Sequence, residues 1–378
     1  MSRTFLQKLR AIAHPDRRAA LAGRVGRLFG TFKAALRRAA EPGAAPPHRP
    51  SLARPLRQTA FSGANPGDLT MFSFAPDNLP ENAPLVVILH GCGQSAAELD
   101  LAAGWSELAE RHGFALLAPQ QTTANHLKGC FNWYSPGDVT RGAGEAASII
   151  AMIHAMRAAH GLDPARTFVA GLSAGGSMAG ALLAAYPEEF AGGALFAALP
   201  YGAASGTIAA LAAMARPSQR SAGEWGDLVR AAAPEPARRP SVSIWQGLAD
   251  RTVNPANAEA LAAQWTDAHG LRPGIFEADE VDGHTRRVWR GADGGALVEL
   301  YEIEGLGHAI PLDADGAGEA AVGTPGLFAA EAGICAPWRI AQGWGLLGPV
   351  AERALRQHLP PGLAIRSARR QSDPVEPG

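Results

Sequence analysis

The chain has 378 residues, of which 47% are hydrophobic and 18% charged, and its formal net charge is −1. This balance suits one large compact domain or two ordinary ones, and the near-zero charge gives no overall field that would favour nucleic acid. No apolar run is as long as a membrane-spanning helix requires. Three cysteines are too few for a disulfide scaffold or a zinc site, but they permit one bridge.

Residues 1–40 predict a basic amphipathic helical arm, followed by a proline-rich linker over 41–55. The first 50 residues carry 11 Lys and Arg against two acidic residues, whereas the remainder carries 23 basic and 33 acidic residues. Such a helix could contact a granule or lipid surface, or pack on its own domain. The N-terminus shows no clear signal peptide. The larger apolar residues recur at steps of three and four, namely Leu21, Val25, Leu28, Phe29, Phe32 and Leu36.

From about residue 68 the pattern alternates between apolar strands and helices. Strands are predicted over 84–91, 114–120, 166–172, 191–199, 241–247 and 296–305, and helices over 95–113, 144–161 and 174–187. Repeated strand–helix–strand units predict a mostly parallel sheet with helices on both faces. Sites in such sheets lie at the carboxyl ends of the strands. We expect one α/β domain over 56–365 and a disordered tail over 366–378.

Ser173 lies in "GLSAGG", between a predicted strand and a helix rich in small residues. This is the setting of a nucleophile elbow, a sharp turn whose neighbours must be glycine or very small. The alternative is a glycine-rich turn that only closes a strand. The placement favours a nucleophilic serine.

A serine nucleophile needs a histidine base and an acid that orients it. Asp250 follows the strand 241–247, and His308 follows the strand 296–305, in the chain order that this elbow predicts. Asp250 could instead cap the helix that begins near Pro255. His284 competes with His308, but it begins a predicted hairpin, so we interpret it as a surface histidine.

Acyl transfer also requires two backbone N–H donors for the oxyanion. Ala174 follows the nucleophile and supplies the first candidate. The "HGCG" loop after the strand 84–89 supplies the second, with Cys92 preferred over Gly91. Arg141 and Glu145 are four residues apart and could pair within one helix, in a structural role.

Several motifs in this order resemble the poly(3-hydroxybutyrate) depolymerase family of esterases, α/β-hydrolases related to feruloyl and acetylxylan esterases. They span about residues 85–312 and comprise "LVVILHGCGQSAAEL", "GWSELAERHGFALLAPQQ", "CFNWYSPGDVTRGAGEAASI", "GLSAGGSMA", "GLADRTVNPANA" and "GLGHAIPL". The resemblance implies the α/β-hydrolase fold and a serine esterase of hydroxyalkanoate esters. It implies Ser173, Asp250 and His308 as the catalytic triad and Cys92 in the oxyanion hole, without cofactor or metal.

The chain departs from the family at two positions. Gly93 stands where members often have threonine, and Ile310 stands where tryptophan is common, which leaves the shape of the acyl pocket open. Trp133 and Ile310 are the candidate pocket residues, and Trp133 is alternatively a core aromatic. Because the segment after His308 is short and helix-like, we expect oligomers or short acyl esters as substrates in preference to crystalline polymer.

Cys92 and Cys130 each lie in a motif beside the proposed site. They could form a disulfide bridge or remain two buried free thiols. A bridge would imply an oxidising compartment. The resemblance implies an extracellular enzyme, with a cytoplasmic one as the alternative. Two other functions remain open: a feruloyl or acetylxylan esterase, and a surface-binding protein on an inactive hydrolase body.

Overall fold

The central sheet has ten strands in a computed structural model that describes residues 56–233, 238–316 and 318–347. The predicted arm 1–40, linker 41–55 and tail 366–378 lie outside these residues, and the limits of the domain, 56–365, stay a prediction. The strands are β1 (Arg57–Gln58), β2 (Thr70–Phe74), β3 (Leu85–Leu89), β4 (Ala115–Gln120), β5 (Thr167–Leu172), β6 (Gly192–Phe196), β7 (Ser241–Gly247), β8 (Glu277–Val281), β9 (His284–Arg290) and β10 (Ala296–Ile303).

The sheet order is β1-β2-β4-β3-β5-β6-β7-β10-β9-β8. The six strands from β4 to β10 in this order pair in parallel, and the strands at both margins pair antiparallel. A separate parallel pair joins β11 (Ile310–Leu312) to β12 (Ala329–Glu331). This is the mostly parallel α/β sheet that the strand–helix alternation predicts.

The helices are α1 (Ala96–Ala103), α2 (Trp105–His112), α3 (Pro136–Val139), α4 (Gly144–His160), α5 (Ala174–Ala185), α6 (Thr207–Ala215), α7 (Ala222–Ala232), α8 (Ala256–Ala268) and α9 (Ala336–Gly343). Because these helices cover both faces of the sheet, β3 and β5 are buried along their whole length. Val87 packs with residues of α4, α5 and α8, whereas Val86 and Ile88 pack with residues of α1, α2 and α9.

The predicted single helix over 95–113 is wrong, because Gly104 divides it into α1 and α2. Gly104 has φ 72°, and a Cβ there would lie 2.4 Å from the backbone nitrogen of Gly323. Only glycine combines this positive φ with so close a backbone neighbour. The amphipathic pattern of the segment continues across Gly104, so the pattern gave no sign of the break.

The hairpin after residue 283 is confirmed, because β9 and β10 pair antiparallel. The interpretation of His284 as a surface residue is wrong. The residue is only 9% exposed, and its Nε2 donates to the carbonyl oxygen of Ala332, 2.7 Å away. His284 therefore ties the hairpin to the segment beyond β12.

In the part of the chain that the structure describes, every helix is too short or too polar to cross a bilayer.

Candidate active site

Ser173 lies between β5 and α5 in a strained backbone conformation. Its φ is 57° and its ψ −116°, a region that a residue with a side chain enters at a cost of about 1–3 kcal/mol. Its N–H donates to the carbonyl oxygen of Phe196 on β6, at 2.8 Å. The residue is 8% exposed. Strain of this kind is characteristic of a turn that holds a functional side chain at the end of a strand.

Glycines allow this turn to pack against the neighbouring strand. A Cβ at Gly171 would lie 2.3 Å from the carbonyl oxygen of Gly175, and a Cβ at Gly175 would lie 2.1 Å from that of Leu89. Both distances are shorter than real Cβ contacts. The first turn of α5 therefore lies directly against the end of β3, where the "HGCG" loop begins.

Asp250 and His308 are in contact. Asp250 Oδ2 lies 2.7 Å from His308 Nδ1, and the other carboxylate oxygen, Oδ1, accepts from the N–H groups of Thr252 and Val253 at 2.7 and 2.9 Å. Gln246 Nε2 lies 3.4 Å from Oδ2. The Asp250 side chain is fully buried and that of His308 nearly so. With Nδ1–H donating to Asp250, Nε2 is the unprotonated nitrogen of a neutral His308.

The His308 loop reaches Asp250 because Gly247 lets two loop backbones touch. A Cβ at Gly247 would lie 2.3 Å from the carbonyl oxygen of Leu306 and 2.4 Å from that of Gly307. The N–H of Ala249 also donates to the Leu306 carbonyl oxygen, at 2.9 Å. Sequence reasoning missed Gly247, although its place at the end of β7, three residues before Asp250, was a usable signal.

The sheet order brings the candidate residues to one edge. Ser173 follows β5, Asp250 follows β7 and His308 follows β10. Only β6 separates β5 from β7, and β10 adjoins β7. Since these strands are parallel, their carboxyl ends lie at the same edge.

The two oxyanion candidates lie at this edge as well. Ala174 is the first residue of α5, and the first N–H groups of a helix have no carbonyl partner within the helix. Gly91 adjoins the residue before the serine, because a Cβ there would lie 3.5 Å from the Leu172 carbonyl oxygen. Cys92 is the next residue of the same loop.

A disulfide joins Cys92 to Cys130, whose Cα atoms are 4.2 Å apart. The N–H of Gly93 donates to the carbonyl oxygen of Lys128 at 2.8 Å, so the two loops also share a backbone bond. Of the described cysteines, Cys335 is free and buried. The bridge ties the loop after β3 to the segment that carries Trp133.

Trp133 and Ile310 have different surroundings. Trp133 is buried in an apolar cluster that also contains Ala174 and Val253, so it lies beside the start of α5. Ile310 is 1% exposed and packs in the core with Leu312 and residues of α9. The interpretation of Ile310 as a pocket residue is corrected to core packing, because its side chain belongs to β11 on the α9 face.

The suggested pair of Arg141 and Glu145 is wrong. Arg141 lies before α4 begins, and its guanidinium bonds both carboxylate oxygens of Glu188 at 2.7 and 2.8 Å. Glu145 is 1% exposed and accepts hydrogen bonds from Gln121 and Asn132 instead. The prediction from helical spacing fails because Arg141 lies outside the helix and each residue bonds a different partner.

Comparison with known proteins gives a family. Residues 70–288 match the family model described as Esterase PHB depolymerase. Poly(3-hydroxyalkanoate) depolymerase C of Paucimonas lemoignei is 42% identical over 294 residues, which are 78% of this chain and 70% of that protein. Feruloyl esterase B of Thermothelomyces thermophilus is 32% identical over 266 residues, 68% of this chain and 89% of that protein.

A solved structure supports the fold. The acetyl xylan esterase from Aspergillus awamori superposes with a TM-score of 0.64 at 22% sequence identity, over 77% of this chain and 99% of that one. Together with the parallel sheet and the elbow, this shows an α/β-hydrolase fold.

Proposed function

The chain belongs to the Esterase PHB depolymerase family and is a carboxylic ester hydrolase of the serine type, and we propose that Ser173, His308 and Asp250 carry out its chemistry. The observation that carries this proposal is the 2.7 Å contact between His308 Nδ1 and Asp250 Oδ2. It leaves Nε2 as the basic nitrogen, at the sheet edge where the strained turn holds Ser173.

In the proposed reaction His308 Nε2 takes the proton of Ser173 as Oγ attacks the ester carbonyl carbon. Asp250 holds the ring and stabilises the imidazolium. The N–H groups of Ala174 and Cys92 donate to the oxyanion of the tetrahedral intermediate. Collapse breaks the ester bond, and His308 returns the proton to the leaving alkoxide. Water, deprotonated by His308, then attacks the acyl-enzyme, the bond to Ser173 Oγ breaks, and His308 returns the proton to Oγ as the acid leaves.

We propose hydroxyalkanoate oligomers or short-chain acyl esters as the substrates. The 42% identity to a poly(3-hydroxyalkanoate) depolymerase supports this class, and the buried indole of Trp133 beside α5 supplies an apolar wall for an acyl chain. The feruloyl esterase relative supports the alternative of a phenolic or acetyl ester.

The test compares wild type with Ser173→Ala. We expect the variant to fold, to lose p-nitrophenyl butyrate hydrolysis by a factor on the order of 10⁶ and to escape labelling by a fluorophosphonate. Wild type should be labelled at Ser173. Turnover retained in Ser173→Ala would overturn the proposed nucleophile.

The substrate class is tested by comparing the activity of the wild-type protein on different esters. We expect a higher kcat/KM on hydroxybutyrate oligomers than on methyl ferulate or acetylated xylan. The reverse order would replace the hydroxyalkanoate proposal by the feruloyl or acetylxylan alternative.

We also propose that the enzyme acts outside the cell. The bridge between Cys92 and Cys130 supports this, because such bonds persist in oxidising compartments. Three free thiols in the protein as isolated without reductant would contradict it.

We propose that the basic arm 1–40 contacts a granule or lipid surface. Its support is the sequence alone, 11 basic against two acidic residues in the first 50, ahead of an acidic body. Removal of residues 1–55 tests this proposal.

A further inference from the structure

Glu145 is a buried carboxylate outside the proposed triad. It lies in the first turn of α4 and is 1% exposed. Its Oε2 accepts from the backbone N–H of Asn132 at 2.8 Å, and its Oε1 accepts from Asn132 Nδ2 at 2.7 Å and from Gln121 Nε2. All three partners are donors, so the ionised form of Glu145 satisfies them and the protonated form does not.

The donor role of Gln121 is fixed by its other partners. Its Oε1 accepts from the backbone N–H of Thr122 at 2.9 Å, and its Nε2 also donates to the carbonyl oxygen of Cys130 at 3.1 Å. A backbone N–H cannot accept and a carbonyl oxygen cannot donate, so the amide has one orientation. Glu145 and Cys130 are thereby held by the same side-chain nitrogen.

The same residue reaches the loop after β3. The backbone N–H of Gln121 donates to His90 Nε2 at 3.1 Å, so Nδ1 carries the proton of His90 and donates to the carbonyl oxygen of Gly91 at 2.9 Å. Burial lowers the pKa of His90, which keeps the ring neutral as this arrangement requires. Cys92 follows Gly91 and is bridged to Cys130.

We propose that Glu145 is a positioning residue for the reaction, which holds the amide of Cys92 in place through Gln121, Asn132 and the Cys130 segment. This inference rests on the proposed function, in which that amide donates to the oxyanion. Two routes connect Glu145 to the Cys92 amide. One runs from Gln121 through His90 to Gly91, and the other runs from Gln121 through Cys130 and its disulfide to Cys92.

The cost of burying this charge supports a specific role. Burial raises the pKa of Glu145 to about 7, and the charge of Asp138 adds to the rise, while the bonds from Asn132 and Gln121 oppose it. A glutamine of the same shape would avoid the burial cost, but its NH₂ group would face an N–H donor of Asn132 or Gln121.

The test is Glu145→Gln, assayed with p-nitrophenyl butyrate at pH 8.5. We expect at least one of the three hydrogen bonds to be lost and the Cys92 amide to shift. Displacements of about 1 Å in a catalytic site cost up to about 10²-fold, so we expect kcat to fall by about tenfold or more. KM should change by less than about threefold, because an oxyanion donor acts on the transition state.

Asp100→Asn is the matched control. Asp100 is also a buried carboxylate with a raised pKa, but it bonds Ser106 and lies among the helices on the opposite face of the sheet from α4. The same change of carboxylate to amide should leave kcat within about twofold of wild type. Thermal unfolding of both variants reports the general effect of losing a buried carboxylate.

Asn132→Ala is a milder second variant, which removes one donor to Glu145 and keeps the backbone N–H bond. It should lower kcat in the same direction by a smaller factor, and it decides the question if Glu145→Gln does not fold. Wild-type kcat in the folded variants, or a raised KM with unchanged kcat, would overturn the inference. Failure of wild type to be labelled at Ser173 would instead overturn the proposed function.

Discussion

At the scale of single residues, the site depends on places where a side chain is absent. The strained φ of Ser173 is accommodated because Gly171 and Gly175 leave room for backbone atoms that a methyl group would displace. Gly247 does the same for the contact between the Asp250 and His308 loops. The candidate triad is thus positioned by backbone-to-backbone packing as much as by its own hydrogen bond.

Gly247→Ala should therefore impair catalysis without touching a catalytic group. Its methyl group would lie within 2.4 Å of the Leu306 and Gly307 carbonyl oxygens, so the backbone before His308 must move. We expect kcat to fall by about 10²-fold, measured with p-nitrophenyl butyrate. Gly307→Ala is the control, because a Cβ there meets no atom within 4 Å. Full activity of Gly247→Ala would refute this account.

At the scale of elements, α1 and α2 are joined through a buried acid. Gly104 ends α1, and Asp100 Oδ1 accepts from the N–H of Ser106 at 2.7 Å, in the first turn of α2. Burial raises the pKa of Asp100 to about 6, although the bonds from Ser106 oppose the shift. The Asp100 carboxyl accepts a hydrogen bond from an N–H group at the N-terminus of α2, but its burial makes ionisation costly.

The stability of wild type should therefore fall relative to Asp100→Asn as pH rises. The folded pKa, about 6, exceeds the ordinary value of 3.8. The folded protein thus holds this proton more tightly, and the resulting stability is present at low pH and lost as pH rises through 6. From pH 5 to pH 8 we expect a relative loss of about 1–2 kcal/mol in the free energy of unfolding, measured with urea. A difference independent of pH would contradict the burial argument.

At the scale of the whole molecule, charge is divided between the arm and the body. The first 50 residues carry a net charge of +9 and the remainder −10. The proposed contact of the arm with an anionic surface depends on this positive charge.

Removal of residues 1–55 should abolish sedimentation with polyhydroxybutyrate granules or anionic vesicles and leave p-nitrophenyl butyrate turnover unchanged. Binding of the full chain should weaken as salt rises from about 0.05 to 0.5 M, because salt screens exposed charges. Equal sedimentation of the full chain and the truncated chain would show that the arm does not bind the surface.

The sequence predicted the long buried strands closely. β7 matches its predicted range, and β5 differs by one residue, because buried parallel strands are rich in apolar and β-branched residues over a short local stretch. It did not predict β1, β2 and β12, which are short or half-exposed, nor the break at Gly104. These strands are defined by their pairing with other segments of the chain, and the break depends on the backbone of Gly323.

The sequence by itself determined the α/β class, the family motifs and the three candidates Ser173, Asp250 and His308, because each follows a strand whose apolar pattern is local. Only the tertiary structure decided which side chains meet. It paired Arg141 with Glu188, buried His284 and Ile310, and gathered Glu145, Gln121 and His90 behind the Cys92 loop. Such partners are distant in sequence, and their contacts depend on how helices and loops pack over the sheet.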